Sequence, residues 1–227
     1  LQCFYIMRQH GGFILADVVG LGKTVVGIML IKKFIYEAQA LGRSPKVLIV
    51  TPPAIKAAWQ KTIDEFDEGR TDKIAPFITF ISTGSIAKIN GEDIEDDEGD
   101  DFDEELKYDN YGLIIVDESH NFRNREAQKY KDLDALINNI ELRTGSAPFI
   151  GLLSATPQNN APIDIYNQIL LFQREPGKST LPNIPGGKLN TFMTEKNKEF
   201  RLLRKDDSPE AKAKLQALST EIREKVL

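Results

Sequence analysis

Apolar residues in this chain follow two patterns: short β-branched runs, and longer segments in which they recur every three or four positions. The runs Gly12–Ala16, Lys46–Thr51, Phe77–Ile81, Leu113–Val116 and Phe149–Ser154 predict strands. The segments Lys23 to about Leu41, Ile55–Phe66, Arg125–Asn138 and Ile163–Phe172 predict helices. Gly42–Pro45 supplies a turn, and Pro52 and Pro53 stop the second strand. A strand that is apolar throughout, rather than at alternate positions, is covered on both faces. Such strands alternating with helices specify an α/β fold of three layers around a mainly parallel central sheet. The longest unbroken apolar run, Val25–Ile31, ends at Lys32 and Lys33 and reads as a buried helix face.

Two segments break the alternation. Residues Gly91–Asp109 hold 12 Asp or Glu and one Lys. That stretch repels itself and has little to bury, so Gly91–Glu105 is expected to be a mobile loop between two strands. A regulatory acidic segment that mimics DNA is the alternative. The second break follows Phe172, where Gln173–Gly187 contains three prolines and three glycines and is expected to be irregular. Leu189–Arg204 and Pro209–Leu227 then predict helices, the latter with Ser208 as N-cap, Pro209 at the first position and Glu210 in the first turn. The last helix places Ala211, Leu215, Leu218, Ile222 and Val226 on one stripe, which reads as a surface awaiting a partner. The expected organisation is a lobe over residues 1–172, carrying the acidic insert 91–109, then a linker and two-helix extension over 173–227. The chain opens on Leu1 rather than Met and reads as a piece of a longer protein.

Charge changes this picture in one respect. The net charge of −5 is dominated by the insert; the other residues hold 28 basic and 22 acidic side chains, a net of +6. A weakly basic globule leaves a phosphate-backbone partner open. A single cysteine, Cys3, excludes an intramolecular disulfide framework and fits a reducing compartment, so a cytoplasmic location is expected. No apolar stretch approaches the roughly 18 residues of a membrane span, and nothing resembles a signal peptide.

Three stretches carry candidate chemistry. Asp17-Val-Val-Gly-Leu-Gly-Lys-Thr24 follows a predicted strand and opens a predicted helix, the setting of a phosphate-binding loop. Gly20, Leu21 and Gly22 bring backbone N–H groups close to an anion at a helix N-terminus. Lys23 can reach the terminal phosphates, and the Thr24 hydroxyl can ligate Mg²⁺. The alternative is a glycine-rich turn with an incidental Lys-Thr pair. Ile114-Ile-Val-Asp-Glu-Ser-His120 ends a strand in two carboxylates, at the sheet edge where ligands collect. One carboxylate can hold Mg²⁺ while the other polarises a water; standing alone, the pair would read as solvent-facing. Leu152-Leu-Ser-Ala-Thr-Pro157 is a third strand, ending in small hydroxyl residues.

In this order and spacing the three stretches resemble motifs I, II and III of superfamily-two helicases. Asp117-Glu-Ser-His120 stands for the usual DEAH, and Ser154-Ala155-Thr156 for motif III. The stretch Val50-Thr-Pro-Pro with Trp59, the extended motif Asp117–Asn124, and Thr156-Pro-Gln-Asn159, which lacks the intervening residue of the usual TP-x-QN, are similar to the Swi/Snf-like DNA translocases. The likeness spans roughly Gly12 to Phe172, and Asp17-Val18 departs from that branch's usual Asp-Glu. No adenine-reading Gln motif is found. The resemblance implies a RecA-like ATP-binding lobe with ATP and Mg²⁺ as cofactors. Lys23 and Thr24 would bind phosphate and Mg²⁺, Asp117 would support Mg²⁺, and Glu118 would activate water. His120 would couple the site to Ser154, Ala155 and Thr156. Thr51, Pro52 and Arg123, with Ser82–Ser85, would lie along a nucleic-acid track, duplex DNA being favoured. Trp59 reads as core packing rather than as a platform for bases. Related motors need a second RecA-like lobe that supplies arginine fingers, and the residues after Phe172 are too few to form one. The competing readings are a non-helicase P-loop NTPase or kinase, and a nucleotide-binding module without turnover.

Overall fold

The structure, a computed structural model, describes residues 2–16, 22–90, 110–154 and 161–226, the side chains of Arg223 and Val226 excepted. Five strands form one sheet: β1 (Gly12–Ala16), β2 (Val47–Thr51), β3 (Ile78–Ser82), β4 (Leu113–Val116) and β5 (Phe149–Ser154). Their order is β1-β5-β4-β2-β3, and every neighbouring pair is parallel. All four residues of β4 and all five of β2 are buried, as their uninterrupted apolar runs require.

Alternate residues of each strand feed two cores. Phe13, Val47, Ile49, Leu113, Ile115 and Leu153 face α1 (Gln2–His10), α2 (Lys23–Ala40) and α3 (Pro53–Asp67). Leu48, Val50, Ile114, Val116, Ile150 and Leu152 face α4 (Ile86–Ile89) and α5 (Gln128–Thr144). The three-layer α/β expectation is met. A third cluster joins α6 (Pro162–Ile169), α7 (Leu189–Leu203) and α8 (Pro209–Val226). Ile14 and Phe172 pack against both the second and third clusters, so the C-terminal helices rest directly on the sheet layer.

Four readings are corrected or extended. The run Val25–Ile31 is not wholly buried: Val25, Val26 and Met29 are exposed, because seven consecutive residues wrap around a helix of 3.6-residue period. The stripe on α8 is not left for a partner; Leu218 and Ile222 pack with Leu189, Phe192 and Met193 of α7. Ser208 does cap that helix, its hydroxyl accepting the Ala211 N–H at 3.1 Å. Helix α5 starts at Gln128, three residues later than its periodicity predicts, because Asn124 Oδ1 accepts the Glu126 N–H in a turn. Helix α1 has no counterpart in the sequence reading, since only Phe4, Met7 and His10 of its short span are buried. The acidic insert lies outside the described residues.

A polar knot around the buried His10 and Gln173 ties the end of α1 to the chain after α6. His10 Nδ1 lies 3.0 Å from Thr180 Oγ1, and Gln173 Nε2 donates to the His10 carbonyl at 2.7 Å. Gln173 Oε1 accepts from Ser179 Oγ and from the Thr180 N–H. Burial holds the His10 pKa below its ordinary value, which favours the neutral ring. The proline- and glycine-rich segment is thus irregular in backbone yet anchored through its polar groups.

Candidate functional site

The C-terminal ends of parallel strands share one edge, and the sequence motifs converge there. Gly22 caps α2 with φ 82°, a left-handed conformation that costs a glycine nothing. Lys23 and Thr24 follow in the first turn of α2 and are half-buried. The remainder of the candidate phosphate loop, Gly20 and Leu21 included, lies outside the described residues, as do Ala155 and Thr156. Ala16 of β1 is in register with Ser154 of β5, and Leu152 with Val116 of β4. Strand β5 therefore separates the start of α2 from the carboxylates Asp117 and Glu118 while bringing Ser154 to the same edge.

The carboxylate loop is built with strain and with several anchors. Glu118 has φ 51° and ψ 47°, the one non-glycine residue with positive φ among the described residues. A left-handed L-residue costs roughly 1–2 kcal/mol, and such outliers cluster at functional sites. The turn is held by the Asn121 N–H and Nδ2, both 3.0 Å from the Glu118 carbonyl. His120 Nδ1 lies 3.1 Å from Glu118 Oε2, off the line of a well-formed hydrogen bond. The 3₁₀ turn Ser119–Phe122, which carries His120, packs against β5.

Asp117 is 8% exposed and its carboxylate has two N–H donors. The Glu118 backbone N–H donates to Oδ1 at 2.9 Å, and the Trp59 indole N–H to Oδ2 at 2.8 Å. Among the described residues no Lys or Arg pairs with it, which leaves lone pairs for a cation. Hard oxygen donors such as the Asp117 carboxylate and the Thr24 hydroxyl suit Mg²⁺, so the residues present fit ATP·Mg²⁺.

A second brace runs to α6. Ser119 Oγ donates to Gln168 Oε1 at 2.9 Å, both residues buried. Asn167 Nδ2 donates to the Arg123 carbonyl at 2.8 Å, and Tyr130 OH to the Asn167 carbonyl at 2.8 Å. Desolvation pushes the Tyr130 phenol up to about 12, keeping it a donor. Ser119→Ala would strand Gln168 Oε1 in the interior and is expected to cost about 1–3 kcal/mol. Urea unfolding checks this; an unchanged midpoint would show that the brace contributes nothing.

The track residues fare differently. Thr51 is 1% exposed, inside the sheet between β3 and β4, so its side chain does not line a surface track. That reading is corrected: a strand end in mid-sheet is covered by its neighbours even where its backbone reaches the edge. Pro52 is half-buried and Arg123 exposed, consistent with surface positions. Ser82 and Ser85 close a turn through their hydroxyls, 2.7 Å apart. Two partnerships, Trp59 with Asp117 and Ser119 with Gln168, escape sequence reasoning, because no local spacing announces them.

An SNF2-related domain matches residues 3–98. The chain is 26% identical over 174 residues to the uncharacterized ATP-dependent helicase YqhH of Bacillus subtilis, covering 74% of this chain and 27% of that protein. It is 27% identical over 188 residues to the DNA repair and recombination protein RAD54-like of Mus musculus, covering 74% and 23%. The chain thus spans about a quarter of these relatives. The fold matches the Sulfolobus solfataricus SWI2/SNF2 ATPase core, solved in complex with dsDNA, with a TM-score of 0.56 and 17% identity over 97% of this chain and 41% of that one.

Proposed function

We propose that this chain, a Swi/Snf-like superfamily-two helicase lobe, binds ATP·Mg²⁺ at the C-terminal sheet edge and serves a motor that translocates on duplex DNA. The observation that carries this reading is the placement of Lys23 and Thr24 across β5 from Asp117 and Glu118. Lys23 would hold the terminal phosphates, Thr24 and Asp117 would hold Mg²⁺, and Glu118 would take a proton from the attacking water. Mg²⁺, when bound, neutralises charge on the phosphate oxygens. Glu118 is presented by its left-handed backbone and flanked by His120, which would report its state to β5.

Pro52 and Arg123 would face the nucleic acid, and a second RecA-like lobe would complete the site. Residues 1–172 form the lobe in this reading, and 173–227 a helical extension seated on α6. No described helix is long and apolar enough to cross a membrane, and a cytoplasmic, DNA-associated location suits the proposed role.

A nucleotide panel read by thermal shift tests this. ATP with Mg²⁺ at about 100 times Kd is expected to stabilise the chain by about 2.7 kcal/mol. GTP or ATP in EDTA should do much less, and Lys23→Ala should lose the effect. No shift with any nucleotide would overturn the reading in favour of a module that has kept only the fold.

A further inference from the structure

Resting on the ATP·Mg²⁺ reading above, we propose that Trp59 is a positioning residue, which orients Asp117 for Mg²⁺ and locks that carboxylate to the phosphate-loop helix. Trp59 is completely buried, yet its indole N–H does not seek a backbone carbonyl; it donates to Asp117 Oδ2 at 2.8 Å. The other oxygen takes the Glu118 N–H at 2.9 Å. One donor on each oxygen fixes the carboxylate plane while leaving further lone pairs for a cation. The indole is a neutral donor, so it occupies one lone pair without offsetting the carboxylate charge that attracts Mg²⁺, as a lysine would.

The far edge of the ring seats on α2. A Cβ added to Gly27 would stand 2.8 Å from Trp59 Cη2 and 3.5 Å from Cζ3, so the glycine makes room for the indole. Gly27 lies one turn beyond Lys23 and Thr24, and α2 packs against α3. One rigid side chain therefore spans from the helix of the phosphate loop to the carboxylate after β4. Partners that orient a metal-binding carboxylate are typically worth 10–100-fold in metal affinity.

The test is the Mg²⁺ dependence of nucleotide binding in Trp59→Phe, which keeps an aromatic ring and removes the N–H. The expected result is a rise of about tenfold in the Mg²⁺ needed for half-saturation, with nucleotide affinity in EDTA unchanged. An unaltered Mg²⁺ midpoint overturns the role of Trp59 and leaves nucleotide binding intact. Absence of Mg²⁺-dependent nucleotide binding in the unaltered chain overturns both readings. Should the Phe variant not fold, the unaltered chain suffices, since Trp59 is its single tryptophan. Its emission is expected to change with ATP·Mg²⁺ at the binding midpoint, to stay constant with ATP in EDTA, and to lose that response in Asp117→Asn. Emission indifferent to saturating ATP·Mg²⁺ overturns the proposal.

Discussion

Replacing Glu118 with Gln is expected to leave Mg²⁺-dependent ATP binding nearly unchanged while slowing hydrolysis by about 10²–10⁴-fold. The amide keeps the size of the side chain and an oxygen near His120 Nδ1, which lies 3.1 Å from Glu118 Oε2. What it loses is the capacity to take a proton. Asp117, the proposed Mg²⁺ ligand, keeps its two donors, because one comes from the backbone of residue 118 and the other from Trp59. Binding and chemistry should therefore separate cleanly. Single-turnover hydrolysis on DNA, by the chain joined to the proposed second lobe, measures the second; titration with ATP and Mg²⁺ measures the first. A loss of less than about tenfold would place the general base elsewhere.

The second large effect concerns the lobe by itself. On the proposed function, the 227-residue chain is expected to bind ATP·Mg²⁺ yet turn it over about 10³–10⁵-fold more slowly than the same chain joined to a second RecA-like lobe on DNA. The described residues form one five-stranded sheet with one nucleotide edge. After β5 they supply helices and turns that pack on α6. Charge that develops on the transferring phosphoryl group would meet Lys23 but no arginine from a facing lobe. Rapid DNA-stimulated turnover by these residues alone would sink that expectation and point to an arginine within them.

Much of this arrangement is legible before any coordinates. Strands β4 and β5 coincide with their predicted limits, because strands buried on both faces leave continuous apolar runs. The candidate phosphate loop and carboxylate pair are proposed from the residue types that such chemistry demands. Helix α1 does not, for its three buried residues form too short a period to read. The exposure of Val25, Val26 and Met29 was hidden for the opposite reason: an unbroken apolar run has no period from which to choose a face. Thr51 shows a third limit, since proximity to a motif says nothing about which neighbours cover a side chain.

Asp117 and Glu118, like Lys23 and Thr24, are proposed from order and spacing alone, since each belongs to a contiguous stretch of sequence next to a predicted strand. The sheet order β1-β5-β4-β2-β3 is not local. It follows from packing every helix on its face at once, and it determines which strand stands between phosphate loop and carboxylates. The same packing brings Trp59 to a carboxylate 58 positions away and Gln168 to Ser119 across 49. Sequence alone could place Trp59 only in the core. The tertiary structure decided that its one polar atom would meet Asp117, because a buried indole N–H needs an acceptor and this fold supplies that one.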